Sequence, residues 1–318
     1  MEVAGSITRR SAVAGLGALA VAAARIAPAG AQPLTPIHIA TAATDGAAVP
    51  FYAQEVGFFR SAGLDPQITT AENGAAIAAA IVAGTYDVGW SAILSLAQAH
   101  ERGLPVAVIF PATAYTKRNP VTILAVANDS PIRGPQDFAG KTIAVNGVGP
   151  LQQMGLMTLV ADHGGDPKSL HFVEITNTLL VPALNEHHVD VIMMTEPFVA
   201  MNKDKVRILS GAFDGISSSF ITGAWFVAKP WAAAHPAIVS SVVDVLRRGA
   251  QWANRHHPES AKVLVKYTKV DPQVASVMVR TQYPEQMDVA SVQHEIDLAA
   301  RYGFLKASFP VADLLYSA

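Results

Sequence analysis

Residues 121–146 constrain the fold more than any other stretch, because they set two strand-like runs between repeated strand-helix units. The stretch reads VTILAVANDSPIRGPQDFAGKTIAVN. Its first run, residues 121–127, is rich in β-branched and apolar residues and ends in the turn signals NDSP. The second run, residues 142–145, ends in the glycine-bearing turn NGVGP. With strand-helix units on both sides, this pattern predicts an α/β protein of two lobes with a ligand cleft between them.

The length of the chain also favours two lobes, because 318 residues exceed what one hydrophobic core usually serves. The strand-helix repeats and the helical C-terminal region predict a first lobe formed by residues 32–125 and 225–318. Residues 126–224 form the second lobe in this interpretation. Two extended crossings, near residues 125–128 and 223–226, are predicted to act as a hinge that closes the lobes over a ligand.

The N-terminus has the pattern of an export signal. Arg9 and Arg10 precede an apolar, alanine-rich run at residues 11–24, and the small residues AGA stand directly before Gln32. The run is shorter than the roughly 20 residues that a membrane-spanning helix needs. We therefore expect residues 1–31 to be a signal that is cleaved after Ala31, which leaves a periplasmic protein. The arginine pair resembles the twin-arginine type, with a Sec-type signal or an ordinary N-terminus as the alternatives.

Composition argues against several function classes. The chain has no cysteine, so it has neither a disulfide framework nor a thiol nucleophile. It has no basic tail or face, which argues against nucleic acid as a partner. The adjacent residues His187 and His188 point different ways and make a poor metal pair, and Gly147 and Gly149 lack the rest of a dinucleotide-binding fingerprint. We expect no cofactor, no metal and no catalytic residues.

The turns that follow the predicted strands nominate the ligand site, because ligands of open α/β sheets gather beyond the carboxyl ends of the strands. Several of these turns precede helices, whose free N–H groups suit an anion or a carbonyl oxygen. The candidate ligand-binding residues are Thr44, Asp45, Asn73, Trp90, Ser91, Thr113, Tyr115, Asn146, Gln152, Thr176, Asn177 and Glu196.

Several of these candidates also have a structural interpretation. Asn73 and Ser91 stand where helix caps are expected, and Trp90 suits the core of the first lobe as well as a binding site. Asp45 is able to cap a helix or form an Asx-turn. Glu196 stands directly before a proline. It has two interpretations, a structural role at the hinge and contact with the ligand.

Four stretches together resemble the periplasmic solute-binding proteins of ABC importers, in the branch that includes nitrate, taurine, aliphatic sulfonate and thiamine-pyrimidine binders. This resemblance implies the two-lobed binding-protein fold, a small-molecule ligand, a monomer, and ABC permease and ATPase subunits in the inner membrane as partners. At residues 147–150 the chain reads GVGP where relatives often have Gly-Ser, so ligand preference is not carried over. The stretches are VPFYAQEVGFFRSAGLDPQI (49–68), AAAIVAGTYDVGW (78–90), DFAGKTIAVNGVGP (137–150) and ALNEHHVDVIMMTEPFVA (183–200).

The strand-end residues favour a small organic solute, such as a sulfonate, an organic acid or a heterocycle, over nitrate. Asp45 is expected to repel a bare anion, whereas Trp90 and Tyr115 offer rings for stacking. Lys117 and Arg118 are the cations near these turns, and they suit either a sulfonate or a solvated loop. Two other functions stay open: a pathway enzyme on the same fold, of the pyrimidine or menaquinone-precursor type, and a periplasmic ligand sensor. The export signal, the absence of cysteine and the lack of a usable His, Asp and Ser arrangement count against the enzyme.

Overall fold

The structure is a computed structural model that describes residues 1–2, 33–71, 74–147 and 149–317. The predicted export signal beyond Met1 and Glu2, its cleavage site, and the candidate Asn73 lie outside the described residues. Residues Leu34–Ala318 form one unit, and everything below concerns it. Within the described part of the chain, every helix is too short or too polar to cross a membrane.

The first sheet has five strands in the spatial order β2-β1-β3-β10-β4. β1 pairs in parallel with β2 and β3, whereas β10 runs antiparallel to both β3 and β4. The inner strands β3 and β10 are largely buried, whereas four of the seven residues of the edge strand β2 are exposed. The strands are β1 (Thr35–Thr41), β2 (Leu64–Thr70), β3 (Val88–Ala92), β4 (Val106–Thr116) and β10 (Ser219–Ala228).

The second sheet repeats this plan, in the order β7-β6-β8-β5-β9. β6 pairs in parallel with β7 and β8, and β5 runs antiparallel to β8 and β9. The predicted run at residues 121–127 accounts for one of its strands, and the strands and helices after residue 142 account for the other four. The strands are β5 (Thr122–Val126), β6 (Thr142–Val145), β7 (His171–Glu174), β8 (Val191–Thr195) and β9 (Arg207–Gly211).

The chain changes sheets at residues 117–121 and 212–218, earlier at both places than predicted. β5 already belongs to the second sheet, and the whole of β10 belongs to the first. An apolar, β-branched run indicates a strand but carries no information about which sheet the strand joins, which explains the difference. The two crossings meet where the Lys117 N–H donates a 2.9 Å hydrogen bond to the Ser218 carbonyl oxygen.

Helices cover the two sheets, and most of the C-terminal region is helical, as predicted. α9 buries one stripe that includes Val239, Val242 and Leu246. The helices are α1 (Val49–Glu55), α2 (Phe58–Ser61), α3 (Gly74–Val82), α4 (Ile93–Glu101), α5 (Pro150–Asp162), α6 (Asn177–Asn185), α7 (Phe198–Asn202), α8 (Lys229–Ala234), α9 (Pro236–Arg255), α10 (His257–Thr268), α11 (Pro272–Val277) and α12 (Val289–Arg301).

One apolar cluster runs without a break from the first sheet into the second. It includes Val108 of β4, Leu124 of β5 and Ile143 of β6. At the crossings it contains three aromatic rings, since the ring of Tyr115 lies 5.4 Å from that of Phe213 and 5.6 Å from that of Phe220. The connection between the two sheets is therefore packed side-chain core as well as extended backbone.

Candidate functional site

A cavity of about 1070 Å³ lies between the two sheets, where the strand ends of both meet the C-terminal helices. We call this cavity the cleft. The first sheet lines it with the turn after β1, with β3 and with β4, and the second sheet lines it with the residues after β6 and β8. A third wall comes from residues 264–281, which connect α10, α11 and the segment that follows. No local sequence signal pointed to this third wall.

Nine of the twelve candidate residues line the cleft, and two others do not. Ser91 is fully buried on β3, where it packs against Gly74, and Thr176 is exposed in front of α6. Thr122, Thr195 and Thr222, which are not among the twelve candidates, also line the cleft. The nine are Thr44, Asp45, Trp90, Thr113, Tyr115, Asn146, Gln152, Asn177 and Glu196.

The carboxylate of Asp45 accepts hydrogen bonds from other residues of the protein. Arg280 donates to its carboxylate through Nε, at 3.0 Å to each oxygen, and through Nη2, at 2.7 Å to Oδ1. The Thr281 N–H donates to Oδ2 at 2.8 Å, and the Tyr283 hydroxyl donates to Oδ1 at 2.8 Å. The Asp45 and Arg280 side chains are only 10% and 8% exposed. The expectation that Asp45 repels an anionic ligand is therefore wrong, because its charge is matched by a buried guanidinium.

The pKa values around Asp45 follow from this arrangement. Burial acts to lower the pKa of Arg280, but the hydrogen bonds and the charge of Asp45 raise it above its ordinary value. Burial and the negative charge of Asp45 raise the pKa of the Tyr283 and Tyr52 hydroxyls. The two phenols of the cluster therefore stay neutral at neutral pH, beside the ion pair of Asp45 with Arg280.

Glu196 has fewer partners. Its Oε1 accepts a 2.9 Å hydrogen bond from the Val279 N–H, and its Oε2 accepts one of 2.9 Å from the Ala200 N–H. Burial raises the pKa of Glu196, although these two hydrogen bonds act in the opposite direction. Val279 precedes Arg280 directly. Residues 279–281 therefore contact both sheets. They bind Asp45 beside the first sheet, and they bind Glu196 at the end of a strand of the second sheet.

Trp90 and Asn177, two residues that line the cleft, each carry a buried polar atom. Trp90 Nε1 and Asn177 Oδ1 are buried, and within the described residues neither has a hydrogen-bond partner. The indole of Trp90 also packs against the first-sheet core and lies over Gly223, where an added Cβ would be 3.2 Å from Nε1. Trp90 therefore combines the two roles that its sequence position suggested, core packing and a wall of the cleft.

Tyr115 and Thr113 line the cleft but have hydrogen-bond partners within the protein. The Tyr115 ring is 1% exposed, and its hydroxyl donates to Asp214 Oδ1 at 2.5 Å, so its ring surface serves the core at the crossings. Burial and Asp214 raise the pKa of Tyr115. The hydroxyl oxygens of Thr113 and Thr222 lie 2.8 Å apart. The predicted stacking of a ligand on Tyr115 is not supported by this burial.

The cations and histidines that the sequence singled out lie elsewhere. Lys117 and Arg118 are exposed and do not line the cleft. His187 and His188 are exposed, with ring nitrogens 3.7 Å and 3.6 Å from the carboxylates of Asp129 and Glu186. Across the described ranges, no group of three or more histidine, aspartate or glutamate residues is arranged to hold a metal ion.

Known proteins resemble the chain in family and in fold. The family model described as NMT1/THI5 like matches residues 47–261. No curated protein sequence matches the chain. The periplasmic aliphatic sulphonate binding protein SsuA from Escherichia coli is 15% identical, with a TM-score of 0.73 over 89% of this chain and 92% of that one.

Two further solved structures have the same fold. The alkanesulfonate-binding protein SsuA from Xanthomonas axonopodis pv. citri, bound to MOPS, is 17% identical, with a TM-score of 0.68 over 91% of this chain and 100% of that one. The periplasmic nitrate-binding protein NrtA from Synechocystis PCC 6803 is 14% identical, with a TM-score of 0.67 over 86% and 83%. The likeness confirms the predicted two-lobed α/β architecture.

Proposed function

The chain belongs to the NMT1/THI5-like family, and from that premise we propose that it captures a small organic solute in the cleft, as the periplasmic binding component of an ABC importer. The solved neighbours with its fold are periplasmic binding proteins for sulfonates and for nitrate. Its partners in this proposal are a permease and an ATPase subunit in the inner membrane, and it acts as a monomer without a cofactor.

The observation that carries the proposal is the composition of the cleft wall. The cleft is lined by strand ends of two separate sheets, and two of its lining residues, Trp90 and Asn177, carry a buried donor and a buried acceptor that have no hydrogen-bond partner among the described residues. Unpaired buried polar atoms destabilise a protein by about 1–3 kcal/mol each, so a solute that pairs them is favoured. Micromolar capture needs roughly 8 kcal/mol. Enclosure between the lobes and several such hydrogen bonds together supply it.

An organic solute fits this wall better than nitrate does. Trp90 offers a partly exposed indole to a planar or apolar body, which nitrate lacks. The helix N-termini at α5 and α6 supply N–H donors, but each contributes only about 0.3–1 kcal/mol toward an anion. Candidate solutes are therefore sulfonates, organic acids and heterocycles, whose bodies bury apolar surface in addition to the polar contacts.

Closure of the lobes completes the proposed mechanism. We assign one lobe to the first sheet with its helices and the other to the second sheet, with the hinge at the crossings, residues 117–121 and 212–218. The Tyr115, Phe213 and Phe220 core would stay packed while the cleft opens and closes. Small-angle scattering should show a smaller radius of gyration with a saturating ligand. Unchanged dimensions would mean that the cleft is rigid.

Export to the periplasm is part of the proposal and has its own test. Intact-mass analysis of the periplasmic fraction should find a mature chain that begins at Gln32. Replacing Arg9 and Arg10 together by lysine should stop export if the signal is of the twin-arginine type, whereas unchanged export would indicate a Sec route. A periplasmic chain that keeps residues 1–31 would contradict a cleaved signal.

The solute itself is the decisive test. Native mass spectrometry of the protein purified from its host should find a retained small molecule. A thermal-shift panel of nitrate, taurine, alkanesulfonates, aminopyrimidines and aromatic carboxylates then identifies the chemical class of that molecule. A ligand at 100 times its dissociation constant stabilises the fold by about 2.7 kcal/mol. Trp90→Ala should remove the shift, and Trp231→Ala on α8, outside the cleft, should keep it. No retained molecule and no shift with any compound would contradict solute capture.

A further inference from the structure

The three carboxylates in the described cleft wall already have partners within the protein. Asp45 is matched by Arg280, Glu196 accepts hydrogen bonds from two backbone N–H groups, and Asp271 Oδ1 accepts from the N–H groups of Gln273 and Val274 at the start of α11. Neither a free carboxylate nor a free guanidinium therefore faces the cavity from these positions. None of these three carboxylates therefore needs a counter-ion from the solute.

The cleft is poor in cations. In the part of its wall that the structure describes, Lys269 is the one lysine or arginine, and it is exposed at the C-terminal end of α10. With Asp45 balanced by Arg280, the wall holds the carboxyl groups of Glu196 and Asp271 against that single ammonium group. A helix N-terminus favours an anion by only about two- to five-fold in affinity, which does not offset the burial of an unmatched negative charge.

The two unpaired atoms are one donor and one acceptor, so a solute that pairs both must carry an acceptor and a donor. Trp90 Nε1 only donates, so it needs an acceptor on the solute, and Asn177 Oδ1 only accepts, so it needs a donor. Nitrate, sulfonates and carboxylates offer acceptor oxygens alone. They leave Asn177 Oδ1 unpaired, and they bring further acceptors toward the oxygens of Glu196 and Asp271. The hydroxyl pairs Thr113–Thr222 and Thr122–Thr195, with oxygens 2.8 Å and 3.0 Å apart, serve either role.

We propose that the cleft takes an uncharged organic solute with a planar body that carries both a hydrogen-bond donor and an acceptor, such as an amide, and not an anion. The inference rests on the proposed function, because it concerns the same cleft. It separates this chain from its structural neighbours, which are described as sulfonate-binding and nitrate-binding proteins. Burial raises the pKa of Glu196, which agrees with a wall of low charge.

Compounds of matched shape and different charge test the proposal directly. Saturation-transfer NMR on the protein should compare benzamide with benzoate and benzamidine, and ethanesulfonamide with ethanesulfonate, at millimolar concentration and neutral pH. We expect both amides to bind at least ten-fold more tightly than their charged counterparts. Tighter binding of benzoate or ethanesulfonate would overturn the proposal, and so would tighter binding of benzamidine.

Two pairs of variants locate the contacts. Trp90→Phe keeps a ring but removes the donor, and Asn177→Ala removes the acceptor, so each should weaken amide binding by about two- to ten-fold. The matched controls are Trp225→Phe, whose unpaired Nε1 lies in the core, and Thr178→Ala, exposed on the same helix as Asn177. Both controls should bind as the parent chain does. Equal weakening in a variant and its control would overturn the assignment of the contacts.

The molecule retained from the host distinguishes this inference from the function on which it rests. A retained solute that is uncharged at neutral pH supports both. A retained anion overturns the inference and leaves solute capture standing. If no molecule is retained and no compound of either charge series binds, solute capture fails, and the inference fails with it.

Discussion

Asp45 and Glu196 stand at strand ends of different sheets and bind the same short segment, but they bind it in different ways. Asp45 holds Arg280 and Thr281 through a guanidinium and a backbone N–H, and two tyrosine hydroxyls complete its shell. Glu196 holds Val279 through one backbone N–H, and its other oxygen turns back to Ala200. The first contact is a buried ion pair, whereas the second is one hydrogen bond between the two sides of the cleft.

The difference shows which contact is able to change during function. Breaking a buried ion pair leaves an uncompensated charge, which is strongly unfavourable. A single hydrogen bond to a carboxylate contributes only about 1.5–3 kcal/mol, within the range that ligand binding supplies. We therefore expect residues 279–281 to stay with the first sheet, and the Glu196–Val279 contact to break when the cleft opens.

The largest effect should come from removing the guanidinium. Arg280→Met leaves the Asp45 carboxylate buried without its counter-ion, and we expect the free energy of unfolding to fall by about 3–5 kcal/mol. Urea unfolding measures the change. Lys141→Ala is the control, because its ion pair with Asp190 is 37% exposed on both sides and contributes at most about 1 kcal/mol. A loss below 1 kcal/mol for Arg280→Met would remove the contrast between Asp45 and Glu196.

A third carboxyl group extends the comparison to a site without partners. Glu295 on α12 is fully buried, and in the described part of the chain neither of its oxygens has a hydrogen-bond partner. Burial raises the pKa of Glu295 well above its ordinary 4.5. Above pH 4.5 the folded state therefore keeps a proton that the unfolded state releases. Stability falls as pH rises toward the raised pKa, by about 1.4 kcal/mol for each pH unit.

Glu295→Gln should remove this pH dependence. Urea midpoints measured at intervals between pH 5 and pH 8 should fall with pH in the parent chain and fall much less in the variant, which should be the more stable protein at pH 7. Glu186→Gln, an exposed change on the second lobe, should keep the parent's slope. Equal slopes for Glu295→Gln and the parent would show that Glu295 is not the protonated group.

A smaller effect is expected at Glu196. Glu196→Gln keeps one acceptor oxygen and turns an NH₂ group toward the second backbone N–H, so one of the two hydrogen bonds is lost. We expect a destabilisation of about 1–3 kcal/mol, together with a larger radius of gyration without ligand, because the contact across the cleft is weakened. Scattering and urea unfolding measure the two quantities. Destabilisation without any change in dimensions would place the loss at Ala200 and not at Val279.

The smallest effect should come from the hydroxyl pairs. Thr113→Val removes the partner of Thr222 in the first sheet, and Thr122→Val removes the partner of Thr195 in the second. Each should lower the free energy of unfolding by about 0.5–1.5 kcal/mol, and the two should be equal if the walls are equivalent. Thermal unfolding of the two variants side by side makes the comparison. A several-fold larger loss at one pair would show that the two sheets support the cleft unequally.

The sequence predicted the elements and missed the contacts between distant parts of the chain. The apolar run at residues 142–145 predicted a strand, which is β6, and the strand-end rule brought Trp90, Asn146 and Asn177 to one cleft. Both predictions rest on local pattern. Nothing near Asp45 announces Arg280, which lies 235 positions away, and the wall formed by residues 264–281 has no strand end to mark it. The expectation that Asp45 repels an anionic ligand failed because its partner Arg280 could not be identified from local pattern.

The position of β10 has a consequence for how the polypeptide is made. β10 lies between β3 and β4, although it follows β4 by about a hundred residues. When the ribosome has finished residue 211, all five strands of the second sheet exist, but β4 still has no neighbour within the first. The lobe that is synthesised first is thus the last to be completed, and until residues 219–228 emerge its β3 and β4 present unpaired edges to which other chains can bind.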